Sequence, residues 1–201
     1  MKSTRTALVA VTIAALAFSL TACSKKSEPA AAPATTTPAA VASGPFGAAC
    51  SAIPADVAAV ASSTAVADAA AKIPALSTLV SFVGAAGLGQ TLNTTPNITV
   101  FAPTNDAFAK VDAATVAALK ADPNGKLANV LKYHVFAGDL TPETLAGQHA
   151  MLNGGPITIT GAGQTFSITT SSGGTSNVVC GNVKTANARV YVIDTVLVPA
   201  G

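Results

Sequence analysis

The sequence predicts an α+β domain built around one core, on three observations. Apolar residues in the first half recur at helical spacing, and those in the second half alternate at the strand period. One strand, Ile98-Thr99-Val100-Phe101, lies early among the helices. So far from other strands, it must pair with the later ones, which places helices and sheet on a shared core.

The elements follow in order. Leu76, Leu79, Val80 and Val83 fall at i, i+3, i+4 and i+7, an apolar stripe on a helix of about ten residues. Ile73-Pro74 precedes it, and Gly87 to Gly89 punctuates its end. The early strand stops at Pro103 and turns into a helix through Thr104, Asn105, Asp106, Ala107 and Phe108. Thr104 or Asn105 supplies the oxygen that caps the exposed amides, and Asp106 suits the positive end of the helix dipole. Phe101 and Phe108 pin the two arms into the core. Asp112 caps a helix through Val116 and Leu119 that ends before the pre-proline Asp122. Leu127, Val130 and Leu131 carry another helix, whose end runs through Tyr133 and His134 into a short strand.

Strands dominate thereafter. His149 lies in one or at its entry. Ile157 to Thr160 and Phe166 to Thr169 alternate around a hairpin turn, Gly161 to Gln164. Gly173-Gly174 separates this pair from Val178-Val179-Cys180. Val190, Val192 and the run Ile193 to Val198 close the chain as a strand ending at Pro199, with Asp194 buried inside it.

The N-terminal region has another character. Lys2 and Arg5 precede the uncharged stretch Ala7 to Leu20, and small residues follow, the layout of a secretory signal over residues 1–22. The string Leu20-Thr21-Ala22-Cys23 resembles the lipobox of bacterial lipoproteins, which implies acyl chains on the Cys23 thiol and attachment of the mature chain to a membrane. A plain signal peptide containing a cysteine and a single membrane anchor are the alternatives. The apolar stretch measures about 21 Å as a helix, short against ~30 Å of hydrocarbon. Residues 23–46 read as a tether rich in Ala, Pro and Thr, with prolines at 29, 33, 38 and 45. Extended, it reaches roughly 75 Å.

Composition narrows the function. Without the signal's Lys2 and Arg5, nine basic residues balance nine acidic ones, and no basic stripe exists to neutralise phosphates. Nucleic acid is therefore excluded as a partner. Neither His134 nor His149 has the cysteine or carboxylate neighbours of a zinc site. His134 continues the apolar stripe of Val130 and Leu131, as a buried histidine tied to a backbone carbonyl would. Nucleophile elbow, P-loop and dinucleotide fingerprint are all missing, so neither catalysis nor a cofactor is expected. With Cys23 acylated, Cys50 and Cys180 remain in an oxidising compartment. A bridge between them would close a loop of 130 residues and contribute roughly 5 kcal/mol by chain entropy. Two buried thiols are the alternative.

Three blocks carry a family resemblance: Thr99 to Phe108, Leu131 to Gly138, and Asn187 to Pro199. In this order and spacing they resemble the fasciclin domain, over residues 47–201. The segments Gly44 to Cys50 and Asn177 to Ala188 are further similar to the ends of the mycobacterial secreted and surface fasciclin antigens. The resemblance implies a Cys50–Cys180 disulfide and a wedge-shaped fold, a twisted seven-stranded β-sandwich or partial barrel flanked by helices. It also implies adhesion through an extracellular protein or matrix surface. In animal members, integrin attachment is tied to the Tyr-His region, here Tyr133 and His134. Thr104, Asn105 and Asp106 complete the candidate contact or structural motif. The competing expectation is a carrier or sensor of a small apolar ligand such as a lipid, held between helices and sheet.

Overall fold

The computed structural model describes residues 44–54 and 61–199. The signal segment, Cys23 and the tether up to residue 43 lie outside the described residues. The helices are α1 (Val66–Ala71), α2 (Ser77–Ala85), α3 (Gly89–Thr94), α4 (Asn105–Ala109), α5 (Ala113–Ala121) and α6 (Ala128–Tyr133). A π-turn, Pro123–Leu127, leads into α6. The strands are β1 (Ile98–Pro103), β2 (Val135–Ala137), β3 (Gly147–Ala150), β4 (Pro156–Ala162), β5 (Thr165–Thr170), β6 (Thr175–Lys184) and β7 (Ala188–Ile193).

One seven-stranded sheet runs in the order β2-β1-β7-β6-β5-β4-β3. The early strand does pair with the last, in parallel, from Ile98 opposite Ala188 to Pro103 opposite Ile193. The other neighbours are antiparallel. Two register shifts within β6, between Val178 and Cys180 and between Cys180 and Val183, bend the sheet. The bend brings the outer strands towards each other. The Leu152 amide just past β3 donates to the Val135 carbonyl at 2.9 Å, and the rings of Phe136 and His149 meet edge-on at 5.2 Å. The sheet thus curls into the partial barrel expected of a helix-flanked α+β wedge.

Alternation along β1 divides the apolar residues between two cores. Phe101 points inward with Tyr191, Phe166, Ile157, Ile159 and Ile168. Ile98, Val100 and Ala102 face outward with Val190 and Val192, under Val66, Leu79, Phe82 and Leu131 of the helices. Buried on both faces, β1 reads as a continuous apolar run broken by Thr99. Thr99 satisfies its hydroxyl locally, donating to the Gly138 carbonyl at 2.7 Å and accepting from the Leu140 amide at 2.9 Å.

Several boundaries differ from the sequence reading. The last strand ends at Ile193, not Val198, and Asp194 lies beyond it, half-buried. The Asp194 carboxylate accepts from the Asn177 amide at 2.8 Å, which turns the chain out of the ladder. The hairpin turn contracts to Gly163-Gln164, because Ala162 pairs with Thr165 and Gly163 takes a φ of 65°. Helices α1 and α3 were not anticipated. Gly89 opens α3 instead of ending its predecessor. Phe46, placed at the end of the tether, is only 4% exposed and bridges Gly181 of β6. There Gly47, at φ 109°, lies so close to the Val179 carbonyl that a side chain would collide with it.

Candidate functional site

Tyr133 and His134 stand where α6 ends and β2 begins, and both are interior residues. Tyr133 is fully buried. Its hydroxyl donates to the Pro156 carbonyl at 2.9 Å and accepts from the Ser171 amide at 3.2 Å. The Tyr133 ring fills the barrel because α6 delivers it beneath β4. His134 is buried likewise, with Nδ1 2.8 Å from the Val130 carbonyl. Its Nε2 accepts from the Leu197 amide at 2.9 Å, which leaves the ring proton on Nδ1 as donor to Val130. Burial lowers the pKa of His134 to about 4, outweighing the opposing hydrogen bond to Val130. The ring is neutral and both nitrogens have partners, so it is not poised to exchange a proton with a substrate.

The Thr104 to Asp106 block is the joint between β1 and α4. Thr104 is the N-cap, its hydroxyl accepting from the Ala107 amide at 3.2 Å. Asn105 reaches across to α2, accepting from the Thr78 amide at 3.1 Å and donating to the Pro74 carbonyl at 2.9 Å. Asp106 is exposed in the first turn of α4. Phe108 packs edge-on against Phe82 at 5.0 Å, so the block docks helix on helix.

Cys50 and Cys180 are joined as a disulfide spanning 130 residues, tying the short 3-10 turn Ala48–Ala52 to β6. Elsewhere Arg189 and Asp139 form a two-pronged ion pair, at 2.6 and 3.0 Å. The guanidinium hydrogen bond holds the Asp139 carboxyl below its usual range, against a smaller opposing effect of burial. No group of three or more His, Cys, Asp or Glu among the described residues is arranged to hold a metal ion.

Among the described residues, a concave feature lies between the helices and the outer face of β1. It is a cavity of about 110 Å³, walled by Val66 and Ala70 of α1, Val80 and Val83 of α2, and Leu88 and Leu92 around α3. Asn187 organises two of these walls. Its Oδ1 accepts from the Val66 amide at 3.0 Å, and its Nδ2 donates to the Leu92 and Thr95 carbonyls at 2.6 and 2.9 Å. The α2 wall, Val80 and Val83, belongs to the stripe read from the sequence, whereas the walls from α1 and α3 were missed because α1 is mostly alanine and α3 is short and polar. The i, i+4 spacing of Leu88 and Leu92 was the available signal.

The described residues form a helix-flanked, half-closed barrel with an apolar interior, its N-terminal turn held to β6 by the Cys50–Cys180 disulfide. A profile of the fasciclin domain matches residues 74–199, and the chain belongs to that family. It is 41% identical over 131 residues to immunogenic protein MPB70 of Mycobacterium bovis, covering 63% of this chain and 64% of that protein. Over 131 residues it is 44% identical to cell surface glycolipoprotein MPB83 of the same species, covering 63% of this chain and 56% of that one. The match thus spans less than two thirds of either relative. A solved fasciclin domain pair from the insect cell adhesion molecule fasciclin I aligns with a TM-score of 0.48 at 21% identity, covering 61% of this chain and 45% of that one.

Proposed function

We propose that this chain is a non-enzymatic surface protein, anchored by acyl chains on Cys23, that presents a fasciclin domain for contact with an extracellular protein or matrix. Residues 1–22 are the signal in this reading, the segment up to about residue 46 is the tether, and the domain follows. The supporting observation is the Leu20-Thr21-Ala22-Cys23 string in a chain 44% identical, over the matched region, to a relative named a cell surface glycolipoprotein. Among the described residues, no helix is long and apolar enough to cross a membrane.

The test compares cells carrying the native chain with cells carrying Cys23→Ala. The native chain should fractionate with membranes, carry an acyl mass adduct and promote attachment to matrix-coated surfaces. The variant should appear folded in the medium and the attachment should be lost. An unmodified native chain, or equal attachment by both strains, would overturn the reading.

A second reading, a carrier or sensor of a small apolar ligand, is supported by the cavity against β1. Native mass spectrometry of the gently extracted protein would show a stoichiometric adduct.

A further inference from the structure

We propose that this cavity takes a single acyl chain bearing an anionic head group, with Lys132 as the residue that meets the head. The inference rests on the apolar-ligand reading and adds the chemistry of its ligand.

The lining of the cavity and the state of Lys132 carry it. The lining is apolar apart from Thr91, Lys132 and His134. His134 has both ring nitrogens engaged by Val130 and Leu197, so it offers nothing to a ligand. Thr91 and Lys132 are solvent-exposed and therefore mark the mouth. No carboxylate lines the cavity. Lys132 has no hydrogen-bond or ion-pair partner among the described residues. Lys132 thus joins an exposed cation, without a partner among the described residues, to an apolar lining, the complement of an anionic amphiphile.

The apolar surface continues outward. Leu152, 48% exposed, lines the same cavity, where its side chain can cover the upper part of a chain. Inward, a second apolar cavity of about 30 Å³ shares Val66, Ala70, Leu79 and Val100 with the first. An apolar cavity of ~150 Å³ accommodates benzene in another protein, so about 110 Å³ holds roughly four carbons of a chain. The end of a slender, flexible chain fits this volume.

Calorimetric titration of the full chain carrying Cys23→Ala, which removes its own acylation site, tests the proposal. Decanoate, decyl phosphate, decanol and decyltrimethylammonium are the probes. Decanoate or decyl phosphate should bind at one site at least tenfold more tightly than decanol, and the cation most weakly. Shortening the chain below the roughly four carbons the cavity holds should weaken binding about fourfold per methylene, whereas shortening it from ten to eight should change binding little. Lys132→Gln should remove the preference for the anions while leaving decanol unchanged. Ala70→Phe, which fills the cavity, should abolish binding of all four with circular dichroism retained; Val83→Phe serves if that variant does not fold. Tighter decyl phosphate points to a lipid phosphate as the natural head, and tighter decanoate to a free fatty acid. Decanol binding as well as the anions would overturn the head-group assignment and leave the apolar-carrier reading standing. Absence of binding by every probe would defeat both, and unchanged binding in the filled variant would place the site elsewhere.

Discussion

The imidazole Nε2 of His134 accepts a hydrogen bond from the backbone amide of Leu197, a residue 63 positions later. That bond ties the segment after β7 to the end of α6, and it exists only while the ring is neutral. Protonation would put a proton on the accepting nitrogen and face it with an N–H.

Stability should therefore fall on acidification through a window set by this ring. The unfolded imidazole takes up its proton near 6.5, while the folded one does so only near 4. Between those values the unfolded state binds more protons, so stability rises with pH across the window. The contribution is complete above 6.5 and lost below about 4, and amounts to about 3 kcal/mol. Urea unfolding at several pH values should show this slope in the native chain and a flattened one in His134→Gln. The carboxylates are common to both and cancel in the comparison.

Cys50→Ser combined with Cys180→Ser should lower stability by up to roughly 5 kcal/mol, the chain-entropy value for so long a loop. Thermal unfolding measures the loss. Phe46, hydrogen-bonded to Gly181 beside Cys180, should become accessible to proteolysis at its flanks in that variant before the barrel opens.

Tyr133→Phe separates a structural tyrosine from a contact residue. It removes the donor to Pro156 and the acceptor for Ser171 and should cost about 1–3 kcal/mol. Attachment to matrix at a temperature where the variant remains folded should be unchanged. Reduced attachment with unchanged stability would assign Tyr133 the contact role instead.

Asn187→Ala should cost a similar amount, about 1–3 kcal/mol, because two carbonyls and one amide lose their partner together. Amide exchange should accelerate first in α1 and α3, the walls held by that side chain.

Local patterns were legible where they needed only their own residues. The stripe from Leu76 to Val83, the cap at Asp112 and the alternation from Ile157 to Thr169 each reflect a short-range rule, and each element lies close to where it was expected. The fasciclin assignment likewise came from blocks readable in one dimension. The register of β1 against β7, the curl that brings Leu152 to Val135, and the burial of Tyr133 came from the folded chain alone. So did the end of the last strand, where the Asp194 carboxylate captures an amide of β6 and diverts an apolar run that would otherwise continue. The cavity belongs to this second group, since its walls come from elements whose own sequences carry weak signals. An empty space is a property of how surfaces fail to meet, and no single segment encodes it.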